Sequence, residues 1–173
     1  MATTYTLIAS NVLSASATSV TFSSIASTYT DLVLRISGRS DNAGLVQENI
    51  WLTFNSTSSG YSTTQLTGDG TTGASGTTSS ATILRGFYAA NSGAATANSF
   101  GSAEIYIPSY TGTQKKPVNV FGVGETNATT AYMATTAGLS SITTAITTIN
   151  IAKGNGTNWV SGSSFYLYGI KNS

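Results

Sequence analysis

Residues 31–38 read Asp-Leu-Val-Leu-Arg-Ile-Ser-Gly, with Leu32, Leu34 and Ile36 on alternate positions. A period of two places them on one face of a β-strand, whereas a helix repeats every 3.6 residues. Val33, Arg35 and Ser37 then share the opposite, partly wet face. The same alternation recurs along the whole chain, and no convincing helical stretch interrupts it. Candidate strands cover 4–9, 18–23, 31–40, 49–55, 81–89, 102–110, 117–125, 129–136, 142–151 and 163–170. Within 102–110, Ala103, Ile105 and Ile107 are expected to face the core and Glu104 to face outward. Residues 141–150 are ambiguous, because Ile142, Ala145, Ile146 and Ile149 also fit a helical spacing. Their threonines favour a strand, since β-branched side chains pack well on a pleated surface.

The breaks between these segments carry turn chemistry. Residues 40–44 (SDNAG) and 153–158 (KGNGTN) supply Gly and Asn where φ must turn positive. Residues 67–80 (TGDGTTGASGTTSS) hold no apolar side chain larger than alanine, and are expected to cross the surface as a flexible loop. There is no internal repeat, heptad pattern or dividing linker. Many short strands without crossover helices predict one domain over 1–173, an all-β, antiparallel β-sandwich of jelly-roll type.

Composition narrows the chemistry. Only 8% of residues are charged, against roughly a quarter in ordinary globular proteins. Yet 40% are hydrophobic, which argues against disorder. The formal net charge of +1 offers no electrostatic reason to bind nucleic acid or an acidic membrane. The chain has no cysteine and no histidine, so disulfides, thiolate metal sites and Ser-His-Asp or Cys-His catalysis are excluded. No segment approaches the roughly 20 apolar residues of a membrane helix. The first ten residues lack the basic and apolar regions of a secretory signal, so synthesis in a cytoplasm is expected.

Gly68-Asp69-Gly70-Thr71-Thr72-Gly73 matches G-x-G-x-x-G in form. A dinucleotide site needs a helix after the glycines, and more Gly, Ser and Thr follow instead. The carboxylates Asp31, Asp41, Glu48, Asp69, Glu104 and Glu125 form no convincing catalytic pair or calcium loop. Asn55, Asn127 and Asn155 begin formal glycosylation sequons, which follow from the Thr-rich composition. No enzyme activity, catalytic residue, metal or cofactor is therefore expected. The aromatics remain as contact candidates. Trp159 is the foremost, because it follows a Gly/Asn loop and precedes the last strand. Tyr166, Tyr168 and Trp51 join it as candidate interface or ligand contacts.

Several segments carry a resemblance. LIASNVL (7–13), SVTFSSI (19–25), TYTDLVLRISGR (28–39) and FNSTSSGYS (54–62) resemble small virion proteins of tailed bacteriophages, especially marine and cyanobacterial ones. EIYIPSYTGTQKKPV (104–118), NATTAYMATTAGL (127–139) and FYLYGI (165–170) continue the likeness. The resemblance implies a non-enzymatic virion component and carries no site residues with it. Two roles are compatible. The first is a capsid decoration or cement protein on the outer shell, in contact with the major capsid protein or other virion proteins. The second is a receptor-binding module of a tail fibre or neck appendage that grips a host glycan. A fibre module is expected to follow a shaft or attachment segment, and the first strand begins near Thr4, so decoration is favoured. Few charges, and aromatics on both parities of the last strand, predict a homo-oligomer. A trimer fits the three-fold positions of an icosahedral shell.

Overall fold

In a computed structural model of the chain, residues 4–171 are described, so the first three and last two positions of the 1–173 span lie outside the description. The alternating pattern is realised as strands, with no helix among the described residues. In chain order they are β1 (Tyr5–Val12), β2 (Ser19–Phe22), β3 (Asp31–Gly38), β4 (Gln47–Phe54), β5 (Tyr61–Gly68) and β6 (Gly73–Ala81). They continue as β7 (Leu84–Asn91), β8 (Gly101–Ile107), β9 (Lys116–Glu125), β10 (Ala131–Ser140), β11 (Ile149–Lys153) and β12 (Ser164–Ile170).

Two sheets result. The larger has eight strands in the order β1-β12-β3-β8-β9-β10-β5-β6, and the smaller has four in the order β2-β11-β4-β7. Every pair of neighbouring strands is antiparallel. The larger sheet turns Leu32, Leu34, Ile36, Ile105, Val118, Val120, Phe165 and Leu167 inward, all buried. The smaller sheet answers with Val20, Phe22, Ile50, Leu52, Phe54, Ile149 and Ile151, and both sets belong to one hydrophobic cluster. This is a β-sandwich, held chiefly by the apolar area removed from water between two inner faces. Where β7 crosses β9, contact is so close that a Cβ on Gly122 would stand 2.5 Å from Ala89 Cα. Only glycine fits there.

Two expectations are corrected. Residues 67–80 are not an extended loop: they complete β5 and form β6, which pair in register from Thr63↔Thr78 to Gly68↔Gly73. Main-chain pairing needs no apolar side chain, so a Gly/Ser/Thr segment can serve as the outermost strand of a sheet whose other members supply the core. The 142–151 segment becomes a strand only from Ile149. Upstream, the Asn55 side chain takes the place of a ladder partner. Its Nδ2 donates to Ala145 O at 2.8 Å, and its Oδ1 accepts from Thr147 N at 2.8 Å and Thr148 N at 3.1 Å. Backbone groups satisfied in this way let Ile142 and Ile146 stay buried without regular structure.

The chain's last strand is an inner member of its sheet. β12 lies between β1 and β3, so it sits one strand in from the edge. Phe165 and Leu167 point into the core, while Tyr166 and Tyr168 alternate onto the outer face, half-buried.

Candidate functional site

The inner face of the large sheet is consumed by packing, and its outer face is not covered by the second sheet. Strand alternation and register therefore decide which side chains this outer face presents. One row across the strands runs Tyr166, Arg35, Glu104, Phe121, Thr135 and Leu66. The adjacent row runs Ser164, Ser37, Ser102, Val123, Met133 and Gly68. The two halves of these rows differ in character.

On β9, β10 and β5 the face is apolar. Leu66 is 59% exposed, Met133 47% and Phe121 45%, and the register makes Met133 a diagonal neighbour of the other two. Val123 stands directly opposite Met133, and Leu139, also exposed, lies further along β10. A shallow apolar cavity of about 240 Å³ continues from this patch, lined by Tyr106, Pro108, Pro117, Asn119 and Ala137 among others. No charged side chain lines it. Clustered apolar groups on a rigid, fully paired sheet mark a contact surface more than scattered exposure would. The sequence held a sign of this patch, because β9 carries Phe121 and Val123 on the parity opposite to its core residues Val118 and Val120. Leu66 carries no such sign, because it adjoins the Gly/Ser/Thr-rich 67–80 segment.

On β12, β3 and β8 the face is polar and indented. Arg35 Nη2 and Glu104 Oε2 form an ion pair at 2.6 Å, with more than 45% of each side chain exposed. Glu104 thus faces outward as its parity requires. Beside the pair, Ser164, Ser37 and Ser102 are cross-strand neighbours whose small side chains leave a trough of about 250 Å³. Tyr166 lines the same trough. Towards β1, Tyr168 stands opposite Leu7 and meets Tyr5 edge to face, with ring centroids 6.4 Å apart.

The other aromatic candidates lie elsewhere. Trp159 is fully buried in the core, so it offers no surface to a ligand or subunit. Its Gly/Asn-rich approach does not expose it, because carboxylates behind the loop pull that loop inward. Glu48, itself buried, accepts from the main-chain N–H groups of Gly154, Asn155 and Gly156 at 3.0–3.2 Å and from Ser40 Oγ at 2.8 Å. Asp41 accepts from Thr157 N at 2.7 Å and Asn158 N at 3.0 Å. Partial burial raises the Asp41 carboxyl, but the hydrogen bonds from Asn158 and Thr157 outweigh it and hold the group below its ordinary value. Trp51 is half-buried on the outer face of the small sheet, across from Arg85, and far from Tyr166 and Tyr168 in the topology.

Asp69, Asp31 and Lys116 bind main-chain groups of the fold. Asp69 closes the β5–β6 turn, its Oδ1 accepting from Thr71 N at 2.9 Å and Thr72 N at 2.6 Å. The G-x-G-x-x-G segment is therefore a hairpin turn, and the strand β6 follows it where a dinucleotide site needs a helix. Asp31 opens β3 and accepts from Tyr106 Oη and Ser109 N, both at 2.8 Å. That bond to Asp31 is the main reason the Tyr106 phenol is held above its ordinary value. Lys116 is buried, donating to the carbonyls of Gly112 and Gln114, and burial pushes its ammonium down. Among the described residues no cluster of acidic side chains is placed to hold a metal ion, and no helix is long and apolar enough to cross a membrane.

Comparison of the chain with protein-family models, with curated proteins and with solved structures finds no match in any of the three.

Proposed function

We propose that this chain is a non-enzymatic structural protein of a bacteriophage virion, made in the host cytoplasm and seated on the outer capsid shell as a decoration or cement protein. The observation that carries the reading is the uncharged apolar patch of Leu66, Phe121 and Met133 on a rigid sheet face. Such a surface gains its affinity from buried area; buried between copies of this chain it builds the oligomer, through which a repeated lattice multiplies modest contacts made by other faces. A homotrimer bound to the major capsid protein fits this economy of charge.

The finer architecture supports the same reading. Setting aside the β5–β6 and β9–β10 hairpins leaves β1-β12-β3-β8 facing β2-β11-β4-β7. The chain passes from one four-stranded group to the other at every step except β4 to β7, the sheet-switching path of a jelly roll. We infer a jelly roll with two hairpins added at one edge of its larger sheet, an architecture common in viral capsid proteins.

Purified protein added to particles that lack it tests the reading. Rebinding, with a gain in the particles' resistance to heat, is expected, since a ligand stabilises the state it binds. Binding to host cells without rebinding to particles would replace it with the receptor-binding role. That second role loses its foremost aromatic contact with Trp159 in the core.

A further inference from the structure

We propose that the serine trough across β12, β3 and β8 binds a single neutral sugar ring. The inference is independent of the virion reading and of the apolar patch. Its basis is a juxtaposition of three kinds of group within one indentation: the Tyr166 ring, the Arg35–Glu104 ion pair, and the hydroxyls of Ser37, Ser102 and Ser164.

The trough's chemistry selects the ligand class. Arg35 spends one guanidinium contact on Glu104, and its other N–H groups have no partner among the described residues. Glu104 Oε1 is likewise free to accept. The side-chain hydroxyls of Ser37, Ser102, Ser164 and Tyr166 have no hydrogen-bond partner among the described residues. A guanidinium donor beside a carboxylate acceptor suits a vicinal diol, which accepts from one and donates to the other. Serine hydroxyls, able to donate or accept, suit further ring hydroxyls. The Tyr166 ring supplies the apolar plane on which the C–H face of a pyranose stacks.

Other ligand classes fit less well. The paired charges cancel, so a phosphate or other anion meets Glu104 as well as Arg35. All three strands are paired on both sides, so no free backbone edge is offered to an extended peptide. At about 250 Å³ the trough is below the roughly 300–1,000 Å³ of pockets for drug-sized ligands, and suits one ring. A ligand of that size in an open trough binds with a Kd on the order of 1 mM.

The test titrates the isolated, isotope-labelled chain with methyl glycosides of neutral hexoses, 6-deoxyhexoses and N-acetylhexosamines, following backbone amide shifts by NMR. At least one glycoside is expected to shift Ser37, Ser102, Ser164 and Tyr166 saturably. Tyr166→Ala is expected to weaken that binding about tenfold, the scale of one lost aromatic contact. Ser102→Trp, at an exposed position, fills the trough without touching the core and is expected to abolish it. Should Tyr166→Ala unfold, Ser102→Trp carries the test alone. The proposal is overturned if no glycoside gives saturable shifts, if the shifts map outside the trough, or if either folded variant binds like the parent. No particle or host cell enters the experiment, so its failure leaves the decoration reading untouched.

Discussion

Trp159 and Phe165 meet edge to face in the core, with ring centroids 5.6 Å apart and planes at 69°. The contact joins the end of the 153–158 loop to the start of β12. Trp159 also exchanges main-chain hydrogen bonds with Ala17, at 2.8 Å and 3.0 Å, and donates Nε1 to Ile151 O at 3.4 Å. It thereby ties the chain's last connection to both sheets. Trp159→Ala should cost about 3–5 kcal/mol of unfolding free energy, the range for deleting a buried large aromatic. Urea titration measures the loss; a variant as stable as the parent would place the indole outside the core.

Glu48 is the buried counterpart of that loop. Glutamine at this position puts an amide NH₂ where the carboxylate faces main-chain N–H groups and the Ser40 hydroxyl. Glu48→Gln should destabilise the chain by about 1–3 kcal/mol, as expected when hydrogen bonds to a buried charge are broken. Hydrogen exchange should quicken at Gly154, Asn155 and Gly156 before it quickens in the sheets. Unchanged exchange there would show that the carboxylate does not hold the loop.

Asp41 makes the loop acid-sensitive. Its folded carboxyl lies below the ordinary value of 3.8, so its contribution is fully present above that pH. The contribution is lost as pH falls through the lower, folded value. The stability difference between the parent and Asp41→Asn should therefore be largest near neutral pH and shrink below about pH 4. Denaturation at a series of pH values reads it; a difference that grows on acidification contradicts the assignment.

Leu66, Phe121 and Met133 should govern association. Phe121→Ser and Met133→Ser together are expected to shift the oligomer towards monomer while leaving the fold intact, since both side chains are half-exposed. The parent's association should change little with added salt, because the patch holds no charge to screen. Sedimentation at several concentrations and ionic strengths measures both. A parent that is monomeric at all concentrations, or an oligomer indifferent to the double substitution, counts against this surface.

What the sequence determined by itself was local. The period of two in 31–38 and 102–107 settles strand and facing together, because a pleated backbone sends successive side chains to opposite sides whatever lies beyond. Leu32, Leu34, Ile36, Ile105 and Glu104 accordingly stand where their parity puts them. The sandwich class follows from many such segments with no helix between them. Tertiary structure decided what depends on partners. Gly73–Ala81 is a strand because β5 offers it a ladder, and no side-chain pattern records that offer. Residues 145–148 lie outside a ladder where Asn55, some 90 positions earlier in the chain, takes the backbone groups of Ala145, Thr147 and Thr148. Trp159 is core because Glu48 and Asp41 fold its loop inward. The trough and the apolar patch exist only once register sets Ser164, Ser37 and Ser102 side by side and Met133 beside Phe121 and Leu66. Parity is a property of one strand, whereas register and burial belong to the assembled sheets, and that difference separates what could be read from what had to be seen.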